Sequence, residues 1–316
     1  MSRLVTFALL GAVLAPLPSP AQNPTVARAD SLLRSGRVFA AETLYYQAAR
    51  EKPRDPVARL ALGRYLAARG ALKVGAVLME EARYFGGDRT VVAAQLAPIY
   101  ARMGDWRALA SLPATPLEYP ERARAEALRE APSEAAGPDS ALVSYRPATE
   151  GTLGAVTLVI GTDTVEAIID AAAHELVLDT SWASGRGLHV FKSQYESDPA
   201  TFTALAPWIA LGEVTLTQVP ARFEALEGAT PRIGLAVLAR FTPTFDPDAG
   251  TILLRLKAPA PGTLPGERHP TLTYPAGVWL IERDGVRSLT SDAGRELLNG
   301  SAWTLDAKRG EVVIVR

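Results

Sequence analysis

Residues 36–53 read GRVFAAETLYYQAAREKP, and the pattern of this stretch returns twice further along the chain. Glycine stands at positions 36, 70 and 104, so the interval is 34 residues each time. A constant period in this range is typical of stacked helical hairpins, because each hairpin buries its apolar face against the next one. The sequence therefore predicts helical hairpins over residues 24–113, with the three glycines at equivalent points.

The small residues of this pattern have a physical explanation. Glycine or alanine is expected where the two helices of a hairpin cross closely, and larger apolar residues fill the space between neighbouring hairpins. Pro53 marks the end of a second helix, since proline lacks the amide donor and clashes with the preceding turn. The stretch resembles the tetratricopeptide repeat, and the residues that carry this resemblance are Gly36, Arg37, Val38, Ala41, Tyr45, Ala48 and Pro53.

This resemblance implies an N-terminal α-solenoid of helical hairpins with a right-handed superhelical twist. It also implies a protein or peptide partner bound by the repeats in their concave groove. Residues 114–148, rich in alanine, glutamate and proline, are expected to form a mixed helical and flexible linker.

The pattern changes period after residue 149. Two apolar, β-branched runs, Ala155 to Ile160 and Val165 to Ile169, flank a Gly-Thr-Asp-Thr turn and predict a β-hairpin. The hairpin leads directly into Asp170-Ala171-Ala172-Ala173. Further strands follow, and a second apolar segment runs from Ile233 to Phe241 before Phe245-Asp246-Pro247.

The order of these segments resembles the retropepsin-like aspartic proteases, over residues 149–257. The resemblance implies an all-β acid-protease-like domain in which Asp170 is the catalytic aspartate, lies in a loop at a strand end and has Ile233 and Gly234 nearby. A single lobe of this family supplies one aspartate and must pair with another, so that two carboxylates share one proton and activate water. The implied assembly is a homodimer or an intramolecular pseudo-dimer.

The loop of Asp170 departs from the family pattern. Ala171 and Ala172 stand where the family has a threonine, whose hydroxyl ties the paired loops together, and a glycine, which lets the backbone approach the carboxylates. Alanine has no hydroxyl and fewer backbone conformations. The sequence therefore favours an inactive domain, and an active aspartic endopeptidase using Asp170 is the alternative.

Asp179 is a second candidate aspartate, because Leu178-Asp179-Thr180-Ser181 is closer in letters to the family motif. In that register Trp182 would replace a small residue and Ala171 to Ala173 would lie inside a strand. The other interpretation of Asp179 is a helix cap.

The tail, residues 258–316, is expected to be β-rich. Leu298, Thr304, Asp306 and Gly310 repeat Leu238, Thr244, Asp246 and Gly250 at an offset of 60. Two explanations stay open: half of a degenerate second lobe, or two similar hairpins with Asp and Gly turns.

Composition limits the remaining possibilities. With 33 Lys and Arg against 34 Asp and Glu, there is no basic excess for nucleic acid. No cysteine is present, and His174-Glu175 lacks a second histidine four residues from the first, so we expect no metal and no cofactor.

The first 21 residues resemble a secretory signal peptide: Arg3, an apolar run from Leu4 to Leu17, and the small residues Ser19 to Ala21. The predicted location is exported, periplasmic or secreted, without a membrane span after cleavage.

Taken together, the sequence predicts an α+β multidomain protein that is exported and binds a protein partner, with a retropepsin-like domain that lacks activity. An envelope assembly scaffold is a further alternative.

Overall fold

The computed structural model describes residues 23–113, 119–148, 151–184, 186–192, 202–274, 277–282, 285–298 and 300–315. The leader predicted over residues 1–21 lies outside the described residues. Within them, helices precede a β-rich region, so the α+β arrangement is confirmed at this level. No helix in these ranges is long and apolar enough to cross a membrane.

The described N-terminal residues form helices that pair in sequence order. The helices are α1 (Pro24–Arg34), α2 (Val38–Glu51), α3 (Pro56–Ala68), α4 (Leu72–Tyr84), α5 (Arg89–Met103) and α6 (Trp106–Ala110). Close contacts join α1 to α2, α3 to α4 and α5 to α6. These are the three hairpins that the period predicts, and residues 23–113 contain no strand. Their superhelical twist stays a prediction.

The first helix of each hairpin begins at an Asx residue. Asn23, Asp55 and Asp88 accept hydrogen bonds from the first amides of α1, α3 and α5. Such a side chain satisfies donors that have no partner inside the helix, so it fixes where the helix begins.

The glycines with the 34-residue period are turn residues. Gly36, Gly70 and Gly104 lie between the two helices of their hairpins with φ of 79°, 87° and 67°, in the left-handed region. The three glycines occupy equivalent positions, as predicted, but the prediction that they lie where the two helices of a hairpin cross is wrong. The crossing inside the second hairpin is formed by Gly63 and Gly75, where a Cβ on Gly75 would lie 2.6 Å from the Gly63 carbonyl oxygen.

These turns also dock the helices onto the C-terminal strands. A Cβ on Gly36 would lie 3.3 Å from the Gly285 Cα, and one on Gly70 would lie 2.8 Å from the Gly310 amide nitrogen. The Arg102 guanidinium donates to the Thr273 carbonyl over 3.1 Å. The helices and the β region are thus joined by close backbone approach as well as by side chains.

The β region forms one continuous chain of paired strands. After α7 (Tyr119–Glu130), its elements are β1 (Ala135–Ala136), β2 (Ser140–Pro147), β3 (Gly154–Ile160), β4 (Asp163–Ile169), β5 (Leu176–Asp179), β6 (His189–Phe191), β7 (Thr203–Leu211), β8 (Val214–Glu224), β9 (Arg232–Ile233), α8 (Leu235–Leu238), β10 (Thr244–Asp246), β11 (Thr251–Arg255), β12 (Glu267–Tyr274), β13 (Gly277–Glu282), β14 (Gly285–Ser288), α9 (Asp292–Leu298), β15 (Ala302–Asp306) and β16 (Glu311–Val315).

The strand order repeats itself on the two sides of the β10–β15 pair. From β10 the neighbours run β11, β2, β3, β4, and from β15 they run β16, β12, β13, β14. Each half is therefore a hairpin followed by a three-strand meander. The halves meet where Thr244 pairs with Thr304, and their hydroxyl oxygens lie 2.7 Å apart.

Residues 119–148 differ from the linker expected over 114–148. Helix α7 packs on β7 and β6, and β2 pairs with both β11 and β3 near the middle of the sheet. The alternation of exposed and buried residues in β2 is the pattern of a strand with one buried face. The prolines and charged residues around this eight-residue strand made the alternation hard to recognise in the sequence.

We expect Gly70→Ala to destabilise the protein more than Gly86→Ala. Both glycines have positive φ, 87° and 93°, so both changes carry the left-handed strain of about 1–2 kcal/mol. Only Gly70 adds a backbone clash, because nothing lies within 4 Å of a Cβ on Gly86. The clash should cost a further ~1–3 kcal/mol of unfolding free energy, measured by urea titration. Equal losses for the two variants would contradict the docking contact.

Candidate active site

Asp170 lies in the loop that follows β4. Strand β4 runs parallel to β9, and the Asp170 amide donates to the Ile233 carbonyl over 3.0 Å. After Gly234 the chain returns to the same loop, since the Leu235 amide donates to the Ala173 carbonyl over 3.0 Å. The predicted neighbourhood of Asp170, Ile233 and Gly234 is therefore found.

Glycine is required at position 234 by this crossing. A Cβ there would lie 2.4 Å from the Glu175 carbonyl oxygen, and the backbone of Gly234 has an extended conformation that other residues also adopt. The requirement for glycine at position 234 therefore comes from the close approach of the two segments and not from the backbone angles.

The Asp170 carboxylate is engaged on both oxygens. Its Oδ1 accepts the Ala172 amide over 2.8 Å, which closes an Asx turn. Its Oδ2 lies 3.3 Å from Nη1 of Arg232, a side chain that is 40% exposed, whereas that of Asp170 is 10% exposed. The carboxylate therefore shapes its own loop and pairs with a cation.

Ala171, in the same loop, faces the C-terminal strands. Ala171 is buried in the same apolar core as Val278, Leu280 and Leu289. Its carbonyl oxygen lies 3.7 Å from the position of a Cβ on Gly277, at the start of β13. The C-terminal half of the sheet thus lies beside the loop.

The two halves of the sheet relate Asp170 to Thr290. When the paired residues are followed outward from Thr244 in one half and from Thr304 in the other, β4 corresponds to β14 and Ile169 corresponds to Leu289. The next residues along the chain, Asp170 and Thr290, therefore correspond to each other. The hydroxyl oxygens of Thr290 and Ser288 lie 3.2 Å apart. The position related to Asp170 therefore holds a hydroxyl and no carboxylate.

Asp179 lies at the other end of β5 from the loop of Asp170. Its Oδ1 accepts the Ser181 amide over 2.9 Å and its Oδ2 accepts the Leu226 amide over 2.8 Å, at the start of a 3-10 turn, Thr180–Ala183. The hydrogen bond with the Ser181 side chain, followed by the Leu226 amide, lowers the pKa of Asp179. This geometry is that of a cap.

A cleft of about 910 Å³ is lined by residues of α5, α6 and α7 and by residues of the β region. Its charged lining includes a salt bridge of 2.9 Å between Arg124 and Glu175, whose side chains are 10% and 14% exposed. His174, on the same lining, has its pKa lowered by burial. Nothing in the sequence predicts this cleft, because its lining residues are spread along the chain from Ala94 to Lys308. A buried charge pair has no recognisable sequence pattern.

We expect Asp170→Asn to destabilise the protein less than Asp170→Ala. Asparagine keeps an oxygen for the Ala172 amide and loses only the ion pair, which contributes under ~1 kcal/mol beside a partner as exposed as Arg232. Alanine also leaves the amide without its acceptor, for about 1 kcal/mol more. Urea unfolding measures both, and Arg232→Met should match Asp170→Asn. If asparagine costs as much as alanine, the ion pair dominates and this account is wrong.

The contribution of Asp179 to stability should depend on pH. Its folded pKa lies below the unfolded value of about 3.9, so the stabilisation is complete above that value and is lost as the pH falls through the folded pKa. The difference in unfolding free energy between the native chain and Asp179→Asn should therefore be largest near neutral pH and narrow below about pH 4. A difference that stays constant down to pH 3 would contradict the lowered pKa.

No protein-family model matches the chain, and no curated protein matches it. Among solved structures, the chain is distantly similar to a retropepsin-like aspartic protease from Rickettsia conorii. The match has 13% sequence identity, covers 39% of this chain and 90% of that one, and has a TM-score of 0.28.

Proposed function

We propose that this protein binds other polypeptides through helical repeats of the tetratricopeptide kind and that its retropepsin-like region lacks peptidase activity. The observation that carries the second part is the correspondence of Asp170 with Thr290 in the two halves of the sheet. Catalysis by this architecture needs two carboxylates that share one proton, because both cannot ionise at close range. Here one of the two related positions is a threonine.

The surroundings of Asp170 support the same conclusion. One carboxylate oxygen faces Arg232 and the other accepts the Ala172 amide. The Ala172 hydrogen bond matches the backbone approach that the family glycine allows, so the ion pair carries this step: an oxygen that faces Arg232 is not free to share a proton with a second carboxyl group. The loop also lacks the hydroxyl that ties paired loops together in the protease family.

The repeated strand order supports an intramolecular pairing. A hairpin and meander on each side of the β10–β15 contact is the pattern of two copies related by a two-fold axis. In this proposal, residues 267–315 are an abbreviated second lobe that replaces the dimer partner, and β5 to β9 have no counterpart there. The second-lobe explanation is thus preferred over chance similarity of two hairpins.

Exposed apolar side chains support a partner for the helices. Phe39 and Tyr46 lie two turns apart on α2, and Val74, Val77 and Tyr84 lie on α4, with Tyr84 85% exposed. Exposed apolar side chains that form one contiguous patch are typical of interaction sites, and in this proposal the side chains on α2 and α4 contribute to such a patch. Export, through the leader over residues 1–21, completes the proposal.

We expect the purified chain to cleave no peptide above background in a mixed peptide library at pH 4 and pH 7. The measurement is mass spectrometry of the products, and Asp170→Asn should give the same profile as the native chain. Cleavage that Asp170→Asn abolishes would establish an active aspartic endopeptidase instead. Cleavage that survives this change and is lost in Asp179→Asn would move the site to Asp179.

A further inference from the structure

The cleft between the helices and the β region is a polar site with an apolar wall. Its lining carries four basic side chains and three acidic ones: Arg102, Arg124, Arg240 and Lys308, and Glu121, Glu134 and Glu175. Apolar side chains, among them Trp106, Leu109, Val219 and Val237, complete it. A volume of about 910 Å³ is within the range of ligand sites.

His174 is one of the residues that line this cleft. Its Nε2 atom is buried and has no hydrogen-bond partner in the described part of the chain. The charged groups that act on it are Glu175, Arg102, Arg124 and Arg222; Arg124 pairs with Glu175, and Arg222 pairs with Glu224. A buried polar atom without a partner is costly in an empty site and is satisfied by a bound polar group.

The adjacent wall offers a backbone acceptor. Pro98 lies inside α5 and has no amide hydrogen, so it cannot donate to the carbonyl of Ala94, four residues earlier. Ala94, Ala97, Pro98 and Ala101 all line the cleft, and their side chains are small. This wall can therefore accept a hydrogen bond from a ligand N–H.

We propose that the cleft binds an extended peptide and holds one of its carboxylates next to His174. This inference rests on the proposed binding function and assigns its site. The carboxylate accepts from His174 Nε2–H and is attracted by the positive charge of Arg102. A peptide N–H donates to the Ala94 carbonyl, and apolar side chains pack on Trp106 and Leu109.

The carboxylate is either the peptide's C-terminus or an Asp or Glu side chain, and three probes separate these sources. They are fluorescein-labelled pools of hexapeptides with Ala, Val, Leu or Ser at each position: a free-acid pool, an amidated pool, and an amidated pool with one Glu. Anisotropy with the full chain should show binding of the free-acid pool or of the Glu pool at least about tenfold tighter than the plain amidated pool, as expected for loss of a charge-assisted hydrogen bond.

Variants locate the site. His174→Ala and Arg102→Met should each weaken binding of the preferred pool about five- to tenfold, and His174→Gln, which retains an N–H donor, should recover part of it. Arg146→Met is the matched control, because Arg146 is 68% exposed, pairs with Glu166 and does not line the cleft. Circular dichroism and thermal unfolding should show all variants folded.

The outcomes separate this inference from the proposed function. Equal binding of all three pools, or binding unchanged in both cleft variants, would overturn the carboxylate site. If such binding were lost in Phe39→Ser or Tyr84→Ser, peptide binding by the helices would stand while the cleft assignment fell. Absence of binding by every pool would overturn the inference.

Discussion

The pairing of β10 with β15 is the constraint on which the β region depends. Thr244 and Thr304 face each other across this pair, and the rings of Phe245 and Trp303 stack with their centroids 4.1 Å apart. Both rings are buried, as is Asp306 at the end of β15. Because β12 to β14 are hydrogen-bonded to the rest of the sheet through β16 and β15, this short contact helps to determine what surrounds the aspartate.

Turn geometry repeats across that junction. Asp246 accepts the Ala249 amide over 2.9 Å, and Asp306 accepts the Arg309 amide over 3.0 Å. The glycines that close these two turns, Gly250 and Gly310, have φ of 63° and 65°. Gly310 also lies against the helical turn at Gly70. The two hairpins therefore differ in their contacts: β10–β11 continues the sheet, whereas β15–β16 also contacts the helices.

The sequence predicts local features of this protein better than distant ones. The 34-residue period identified the helical hairpins because each hairpin is determined by contacts within itself and its neighbour. It misassigned the glycines, since a letter does not distinguish a positive φ from a close crossing. The neighbourhood of Asp170 and Ile233 was predictable by family resemblance, whereas the correspondence of Asp170 with Thr290 was not. That correspondence emerges only when strand registers are followed, because insertions change the offset between the halves.

The docking of the helices on Gly310 and Gly285 has a consequence for how the chain folds. The helical hairpins are made of local contacts and can form as soon as they are synthesised. Their docking surface, however, comes from the last 50 or so residues of the chain. Until those residues arrive, apolar side chains of α1 to α3 that pack on Leu272, Trp279 and Ile281 stay exposed to water. The packing of the first third of the protein is therefore completed last, and in a chain shortened at its C-terminus these apolar side chains would have no strands to pack on.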